Sequence, residues 1–177
     1  MGKAVFLTGK PGIGKTTVLK RVVLALKEKG YNVGGMITSE VREKGERIGF
    51  EITDLLTGQK GFLAKLHGEG PRLGKYRVNL KDLVDVGVNA VKLALEKSDI
   101  VVVDEVGPME LFSEEFKRVV DEALKSDKPL IGVIHYRAKD PLIEKVKKSK
   151  NVTVLEVTIE NRDNLPKTVV EILLKRF

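Results

Sequence analysis

Short apolar runs alternate with amphipathic stretches along the chain, a pattern that predicts β-strands connected by α-helices. Residues 4–7 form the first apolar run, and residues 18–29 carry apolar side chains at helical spacing before Gly30. The pattern continues with predicted strands at 33–39, 100–105, 129–135 and 152–158 and with predicted helices at 80–97, 114–123, 141–146 and 166–175. We therefore expect an α/β fold in a single domain, residues 1–177, whose mainly parallel sheet lies between helical layers in a three-layer αβα sandwich.

One segment departs from this alternation. In residues 46–65, Ile48, Phe50 and Ile52 alternate with smaller or polar positions, and a turn-rich stretch then leads to a second apolar run at 62–64. We interpret this segment as a β-hairpin inserted between the core units. Residues 66–73 contain glycines, a proline and charges, and they are predicted to form a loop.

The composition is typical of a globular protein, with 42% hydrophobic and 32% charged residues. The apolar runs are far shorter than the ~18 residues of a membrane span, and no signal peptide is recognisable. The chain has no cysteine, so disulfides and thiolate-bound metals are excluded, and we expect a cytoplasmic protein. High charge, the absence of cysteine and a single glutamine, Gln59, favour a thermophilic source.

The net charge of +7 fits a protein that handles polyanions. Nucleoside triphosphates are the polyanions that we expect, and no membrane partner is predicted. The lysine-rich stretch 145–150 has no interleaved aromatic residues, so we interpret it as a solvated helix face and do not expect nucleic-acid binding. A monomer is expected.

A glycine-rich segment lies between the first predicted strand and the first predicted helix. It fits the phosphate-binding P-loop pattern G-x-x-x-x-G-K-[ST], and its predicted nucleotide-binding residues are Gly9, Lys10, Pro11, Gly12, Ile13, Gly14, Lys15, Thr16 and Thr17. Glycines let backbone N–H groups surround a phosphate, and the helix start adds a partial positive charge. Lys15 is expected to reach the β- and γ-phosphates, and the Thr16 hydroxyl is expected to hold Mg²⁺. Thr17 occupies the place of the third glycine of a dinucleotide fingerprint, so that alternative fails.

Two adjacent carboxylates end the β-branched run 100–103. Asp104 is placed as a Walker B aspartate, which holds Mg²⁺ together with Thr16. Neighbouring strand residues point to opposite faces, so the two carboxylates can take different roles, and we predict that Glu105 orients or deprotonates the attacking water. Residues 104–107 also match the D-x-x-G motif of GTPases, in which the N–H of a glycine, here Gly107, contacts the γ-phosphate and a later residue positions water.

Four segments together resemble the THEP1-type nucleoside triphosphatases, a family of small P-loop proteins. They are residues 9–17, Thr38-Ser39-Glu40-Val41-Arg42 with Arg47-Ile48-Gly49-Phe50, Asp104-Glu105-Val106-Gly107-Pro108-Met109-Glu110-Leu111, and Glu160-Asn161-Arg162. The resemblance covers nearly the full length and implies hydrolysis of nucleoside triphosphates, ATP and GTP included, to diphosphate and phosphate. It also implies that the strand ending at His135 lies between the P-loop strand and the Asp104 strand. Position 108 is a proline in this chain, whereas we expect a lysine there in the family. Any role of that lysine is therefore not transferred to this chain.

Other candidates surround the predicted phosphate site. His135 ends a strand beside the γ-phosphate and could contact phosphate or water, or only its own loop. Arg137 lies in a charged loop and could close over the phosphates, where an arginine is worth about 10³–10⁵ in rate; a solvated side chain is the alternative. Arg42 and Arg47 flank a turn and are further arginine candidates, and the resemblance favours Arg47.

The sequence gives little indication of how the protein recognises the base of the nucleotide. The guanine-reading Asn/Thr-Lys-x-Asp motif is absent from the sequence. Asn161 and Arg162 follow the last predicted strand, where P-loop folds usually meet the base, so both are candidate base contacts. The alternative is a turn that caps the final helix through Asp163 or Asn164.

These observations predict an Mg²⁺-dependent nucleoside triphosphatase that accepts ATP, GTP, CTP and UTP. Two alternatives stay open. A P-loop kinase would use the same residues to transfer the γ-phosphate to a nucleotide, small-molecule or nucleic-acid hydroxyl, with residues 46–73 holding the acceptor. A nucleotide-gated binding or accessory protein would use hydrolysis as a timer.

Overall fold

The computed structural model describes residues 3–175, and its strands form one sheet. The strands are β1 (Ala4–Thr8), β2 (Val33–Glu43), β3 (Glu46–Asp54), β4 (Lys60–Lys65), β5 (Arg72–Leu73), β6 (Tyr76–Val78), β7 (Ile100–Val106), β8 (Leu130–Ile134) and β9 (Val152–Glu156). The helices are α1 (Lys15–Glu28), α2 (Leu80–Asp82), α3 (Asn89–Lys97), α4 (Glu114–Lys125), α5 (Pro141–Lys148) and α6 (Leu165–Leu174). Their arrangement is the three-layer αβα sandwich that the sequence predicts.

The strand order is β5-β6-β4-β3-β2-β7-β8-β1-β9. The neighbours from β2 to β9 pair in parallel, which agrees with the short apolar runs that the sequence places in the centre of the sheet. Strand β8 lies between β1 and β7, so the order implied by the family resemblance is confirmed. The glycine-rich loop after β1 and the two acids at the end of β7 therefore lie at the same edge of the sheet, where the carboxyl ends of the parallel strands meet.

The other half of the sheet is antiparallel. The second half of β2 pairs with β3, and β3, β4, β6 and β5 follow in antiparallel order; we call this region the antiparallel wing. Strands β3 and β4 confirm the hairpin predicted at 46–65. The predicted loop at 66–73 is wrong at its end, because Arg72–Leu73 pairs with Tyr76–Val78. Strands of two and three residues are too short to leave a recognisable period in the sequence.

Helices cover both faces of the sheet. On one face, α1 and α6 pack over Val5 and Leu7 of the first strand. On the other face, Phe6 joins the core formed with α3, α4 and α5. The alternation of side chains along β1 therefore supplies both layers of the core. No helix within residues 3–175 is long and apolar enough to cross a membrane.

The predicted helix 80–97 is interrupted in its middle. A π-helical turn, Leu83–Val88, joins α2 to α3. Gly87 in this turn lies so close to the wing that a Cβ atom would stand 3.2 Å from the sulfur of Met36. A helical period of 3.6 residues does not reveal such a local widening, so the sequence predicted an uninterrupted helix.

Candidate active site

The loop between β1 and α1 has the backbone shape of a phosphate-binding loop. Gly9, Gly12 and Gly14 have φ values of 148°, 78° and 111°, a region that favours glycine. A Cβ atom at Gly9 would also lie 2.9 Å from the carbonyl oxygen of Val157. Helix α1 begins at Lys15 without a side-chain cap, so the N–H groups of its first turn can bind an anion.

The Lys15 ammonium group lies over this loop. Its Nζ atom donates to the carbonyl oxygens of Gly9, at 2.6 Å, and Lys10, at 3.2 Å. Burial lowers the pKa of Lys15, and the carboxylates of Glu105 and Asp104 oppose that shift. The structure therefore holds the motif lysine between the phosphate loop and the two acids of β7.

Asp104 and Glu105 stand at the end of β7 and line the same cavity as the loop. The register of β7 against β8 shifts between Asp104 and Val106, and the peptide bond between the two acids is cis. The register shift leaves Glu105 without a partner in the ladder between β7 and β8, and both acids line the cavity. The two carboxylates can therefore act on one ligand.

Asp104 is the more deeply placed acid. Burial, followed by the charge of Glu105, raises the pKa of Asp104 to about 7, while a hydrogen bond from the Thr38 N–H opposes the rise. Its Oδ2 atom is buried and has no hydrogen-bond partner among residues 3–175. A buried carboxylate oxygen without a partner fits a ligand of a hard cation, and Thr16 lines the same cavity. Thr16 and Asp104 therefore fit the predicted Mg²⁺ site.

Glu105 is partly buried and faces the cavity. Burial raises the pKa of Glu105, and the positive charge of Lys15 opposes the rise. A carboxylate with a raised pKa is a stronger base than an exposed one. Its surroundings therefore suit the role of accepting a proton from water.

A third acid, Glu110, belongs to the site and was not predicted. Its side chain is only 2% exposed, and it lines the cavity beside Glu105. Burial and the charge of Glu105 raise the pKa of Glu110 well above the ordinary range. The one available signal was its position between the apolar residues Met109 and Leu111, which is weak because acidic residues are rarely buried unless they are paired.

These groups share one cavity of about 640 Å³. Its lining contains these predicted residues: Gly9, Pro11, Gly12, Gly14, Lys15, Thr16, Thr17, Arg47, Asp104, Glu105 and His135. The other predicted residues, Lys10, Ile13, Arg137, Asn161 and Arg162, are not among its lining residues. The cavity thus joins the phosphate loop to the acids of β7 and continues to the antiparallel wing.

Of the three candidate arginines, Arg47 is the one on the cavity wall. Its guanidinium donates to Glu40, at 3.0 Å, and to the Tyr76 hydroxyl, at 2.9 Å. It also lies 5.1 Å from the centre of the Phe50 ring. Arg42 also forms an ion pair with Glu40, but Arg42 is not among the cavity-lining residues. These partners hold the Arg47 side chain in place.

Arg137 is exposed and lies in the loop after β8. Its backbone N–H donates to the imidazole of His135. The structure therefore places Arg137 next to His135, which lines the cavity, while Arg137 is not among the lining residues. Its predicted contact with the phosphates stays a prediction.

His135 both lines the cavity and shapes its own loop. Its Nδ1 atom accepts the N–H groups of Arg137, at 3.2 Å, and Ala138, at 3.0 Å. An imidazole nitrogen that accepts cannot carry a proton, so the neutral ring has its proton on Nε2. Burial, with the charges of Lys15 and Arg137, lowers the pKa of His135.

We expect the titration of His135 to have a midpoint below the ordinary value of about 6.5. The two bonds to Nδ1 are present above that value and are lost as the pH falls through the lowered folded-state pKa, because protonated Nδ1 cannot accept. Nitrogen–proton correlation spectra of the imidazole test this, with His67→Gln as the control that assigns the two histidines. A midpoint of 6.5 or higher, or a proton on Nδ1 at neutral pH, would contradict the expectation.

The loop after β9 contains both predicted base contacts. The Asn161 side chain accepts the N–H of Thr158, at 2.8 Å, and donates to the carbonyl oxygen of Glu156, at 2.8 Å. Arg162 donates to the carbonyl oxygen of Ile13 in the phosphate loop, at 3.1 Å. Asn161 thus closes its own turn, and Arg162 ties that turn to the phosphate loop.

The sequence is similar to a family of nucleoside triphosphatases over nearly its whole length. The sequence model of the family described as NTPase matches residues 4–170. The nucleoside-triphosphatase THEP1 of Methanosarcina acetivorans is 46% identical over 174 residues, which cover 98% of each chain. That of Thermofilum pendens is 48% identical over 166 residues, covering 93% of this chain and 91% of the relative.

Two solved structures share the fold over nearly the whole chain. The crystal structure of THEP1 from the hyperthermophile Aquifex aeolicus has a TM-score of 0.84 at 26% identity and covers 97% of this chain and 99% of its own. The solution structure of a human cancer-related nucleoside triphosphatase has a TM-score of 0.84 at 34% identity, with 99% and 100% covered. These matches confirm the predicted resemblance, and the chain belongs to the THEP1 nucleoside-triphosphatase family.

Proposed function

We propose that the protein hydrolyses nucleoside triphosphates to diphosphate and phosphate in an Mg²⁺-dependent reaction with broad tolerance of the base. The observation that carries the proposal is the single cavity in which the phosphate loop faces Asp104 and Glu105. Relatives that span nearly the whole chain carry the name nucleoside-triphosphatase, which supports the same reaction.

The phosphate loop binds and orients the triphosphate. Backbone N–H groups of the loop and of the first turn of α1 surround the β-phosphate, and Lys15 reaches toward the γ-phosphate. Thr16 and Asp104 would hold Mg²⁺, which when bound neutralises charge on the β- and γ-phosphate oxygens. Glu105 lines the same cavity as the loop, so its carboxylate is available to a water beside the γ-phosphorus.

Glu105 then activates the attacking water. Its carboxylate accepts a proton as the water oxygen bonds to the γ-phosphorus and the bond to the β,γ-bridging oxygen breaks. Lys15 stabilises the charge that develops on the phosphoryl and leaving oxygens. Arg47 is the arginine best placed to add a further positive charge, because it lines the same cavity.

The arrangement of the loop after β9 supports broad base tolerance. The Asn161 amide is used within its own turn, and Arg162 donates to a loop carbonyl. Together with the missing guanine motif, these bonds leave few side chains with which to select one base. ATP, GTP, CTP and UTP are therefore the proposed substrates.

Phosphate release from the four triphosphates, measured with and without Mg²⁺, tests this proposal. We expect release from all four with kcat/KM values within about tenfold, since one hydrogen bond to a base edge is worth about 1 kcal/mol. We also expect chelation of the metal to abolish release. Strict selectivity for one base, or undiminished release after chelation, would contradict the proposal.

Phosphoryl transfer to a hydroxyl compound is a second candidate function. Beyond the acids of β7 the cavity is walled by the apolar side chains of Phe50, Leu63, Leu73 and Met109. Phosphate groups do not need apolar walls, so this part of the cavity favours an organic acceptor next to the γ-phosphate. A requirement for added acceptor before any phosphoryl group leaves the triphosphate would favour this candidate over hydrolysis.

A further inference from the structure

The Glu110 carboxyl group is buried in the active-site cavity, and neither the phosphate loop nor the predicted Mg²⁺ ligands account for it. Its side chain is 2% exposed although it belongs to an acidic residue. Acidic side chains are rarely buried to this extent unless they are paired. The partner of Glu110 is therefore informative about its role.

We propose that Glu110 is a positioning residue whose buried carboxyl group holds Glu105 in the orientation needed to activate water. This inference rests on the proposed hydrolysis and extends it to a residue that does not contact the substrate. Glu110 acts through Glu105 alone, and the water proton still goes to Glu105.

The first support is a backbone contact. Hydrogen bonds from the backbone of Glu110 itself and of Glu105 oppose the rise in the pKa of the Glu110 carboxyl group. The Glu110 side chain therefore lies against the peptide unit that carries the catalytic acid. This contact lies where the register of β7 against β8 shifts, so the sheet ladder does not hold Glu105 there.

The second support is the close approach of the two side chains around Gly107. A Cβ atom at Gly107 would lie 2.9 Å from Oε1 of Glu105 and 3.2 Å from Oε1 of Glu110. The φ angle of Gly107 is not in the positive region. A glycine is therefore needed at position 107 because a side chain would collide with the two carboxyl groups, and not because of its backbone conformation.

The charge of Glu110 agrees with this close approach. The pKa of Glu110 lies well above its ordinary value because of burial first and the charge of Glu105 second.

The Glu110 main chain is itself well anchored. It begins a 3₁₀ turn, Glu110–Phe112, in which the Leu111 N–H donates to Gly107 and the Ser113 N–H donates to Glu110, both at 3.0 Å. The neighbouring side chains of Met109 and Leu111 pack against the core. A carboxyl group on such a turn has little freedom, which suits a positioning role.

Three variants test the inference: Glu110→Ala, Glu110→Gln and Gly107→Ala. We expect Glu110→Ala to lower kcat about 10- to 100-fold with KM within about threefold, because misplacing a catalytic group by an ångström costs about that much. Glu110→Gln should keep kcat within about threefold, since its amide has nearly the shape of the carboxyl group and its oxygen can still accept a backbone N–H. Gly107→Ala, which places a methyl group against both carboxyl groups, should also lower kcat.

Two controls separate positioning from folding. Amide hydrogen exchange at Glu105 should be faster in Glu110→Ala than in wild type and unchanged in Glu110→Gln. Affinity for a non-hydrolysable ATP analogue with Mg²⁺ should match wild type in all three variants. If Glu110→Ala does not fold, Glu110→Asp takes its place, because the shorter side chain keeps the carboxyl group but withdraws it from Glu105, and the same loss of kcat is expected.

Two results would overturn the inference while leaving the proposed function intact. One is wild-type kcat in both Glu110→Ala and Gly107→Ala, in a protein whose Glu105→Gln variant has lost hydrolysis. The other is equal loss of kcat in Glu110→Gln and Glu110→Ala, which would mean that an ionised Glu110 is required. Absence of phosphate release from wild type would instead remove the proposed function itself, and this inference with it.

Discussion

Replacing Glu105 by glutamine is expected to lower kcat for phosphate release by about 10²–10⁴-fold, the usual contribution of a general base. The amide keeps the shape of the carboxylate but cannot accept a proton from the attacking water. Nucleotide affinity should stay within about threefold, because the phosphate loop and the predicted Mg²⁺ ligands are unchanged. Phosphate release under saturating ATP and Mg²⁺, together with calorimetric binding of a non-hydrolysable analogue, measures both quantities.

A matched control for this substitution is Glu96→Gln, which makes the same chemical change on the exposed surface of α3. Its kcat should equal that of wild type. Undiminished phosphate release from Glu105→Gln would remove the glutamate from its proposed role. The D-x-x-G alternative, in which a later residue positions the water, would then be favoured.

Replacing Lys15 by alanine is expected to weaken binding of Mg²⁺-ATP roughly 100-fold and to abolish measurable hydrolysis. Hydrogen bonds to charged groups contribute about 1.5–3 kcal/mol each, and the ammonium group is placed to reach two phosphates. The partial burial that lowers the pKa of Lys15 also reduces the screening of its charge by water. Calorimetric titration with a non-hydrolysable analogue measures the affinity.

Lys27→Ala is the control, because this lysine lies in the last turn of the same helix and is exposed. It should bind nucleotide as wild type does. Nucleotide affinity of Lys15→Ala within threefold of wild type would contradict the assignment of the loop as the triphosphate site. Loss of affinity in both variants would indicate a general effect of positive charge instead.

The parts of the site that the sequence predicted are those encoded in contiguous residues. The phosphate loop is a local pattern of glycines between a strand and a helix, and the positive φ angles within this loop fall on Gly9, Gly12 and Gly14. Asp104 and Glu105 follow a β-branched run that only a buried parallel strand explains. The carboxyl ends of parallel strands meet at one edge, so the two motifs were expected to face each other.

The parts that escaped prediction depend on contacts between distant segments. The pairing of β5 with β6 involves very short strands, and their position follows from the neighbouring strand β4. The role of Asn161 depends on which backbone groups its own loop brings within reach. The burial of Glu110 arises because the 3₁₀ turn folds back on the end of β7, which no periodic pattern reveals.

For Arg47, the position in the site was predicted from the sequence, but the contacts of its side chain were not. The family resemblance singled out this residue, and the structure places it on the cavity wall. Its partners Glu40 and Tyr76 come from two other strands of the wing, so only the folded sheet shows that its guanidinium is held in place. Its predicted contribution to catalysis stays a prediction.

The central claim is that water attacks the γ-phosphorus in this cavity. Running the phosphate-release assay in water enriched in the heavy oxygen isotope tests it most directly, with mass analysis of both products. We expect one heavy oxygen in the released phosphate and none in the nucleoside diphosphate, without any added acceptor. Heavy oxygen in the diphosphate, or no phosphate until a hydroxyl compound is added, would contradict it.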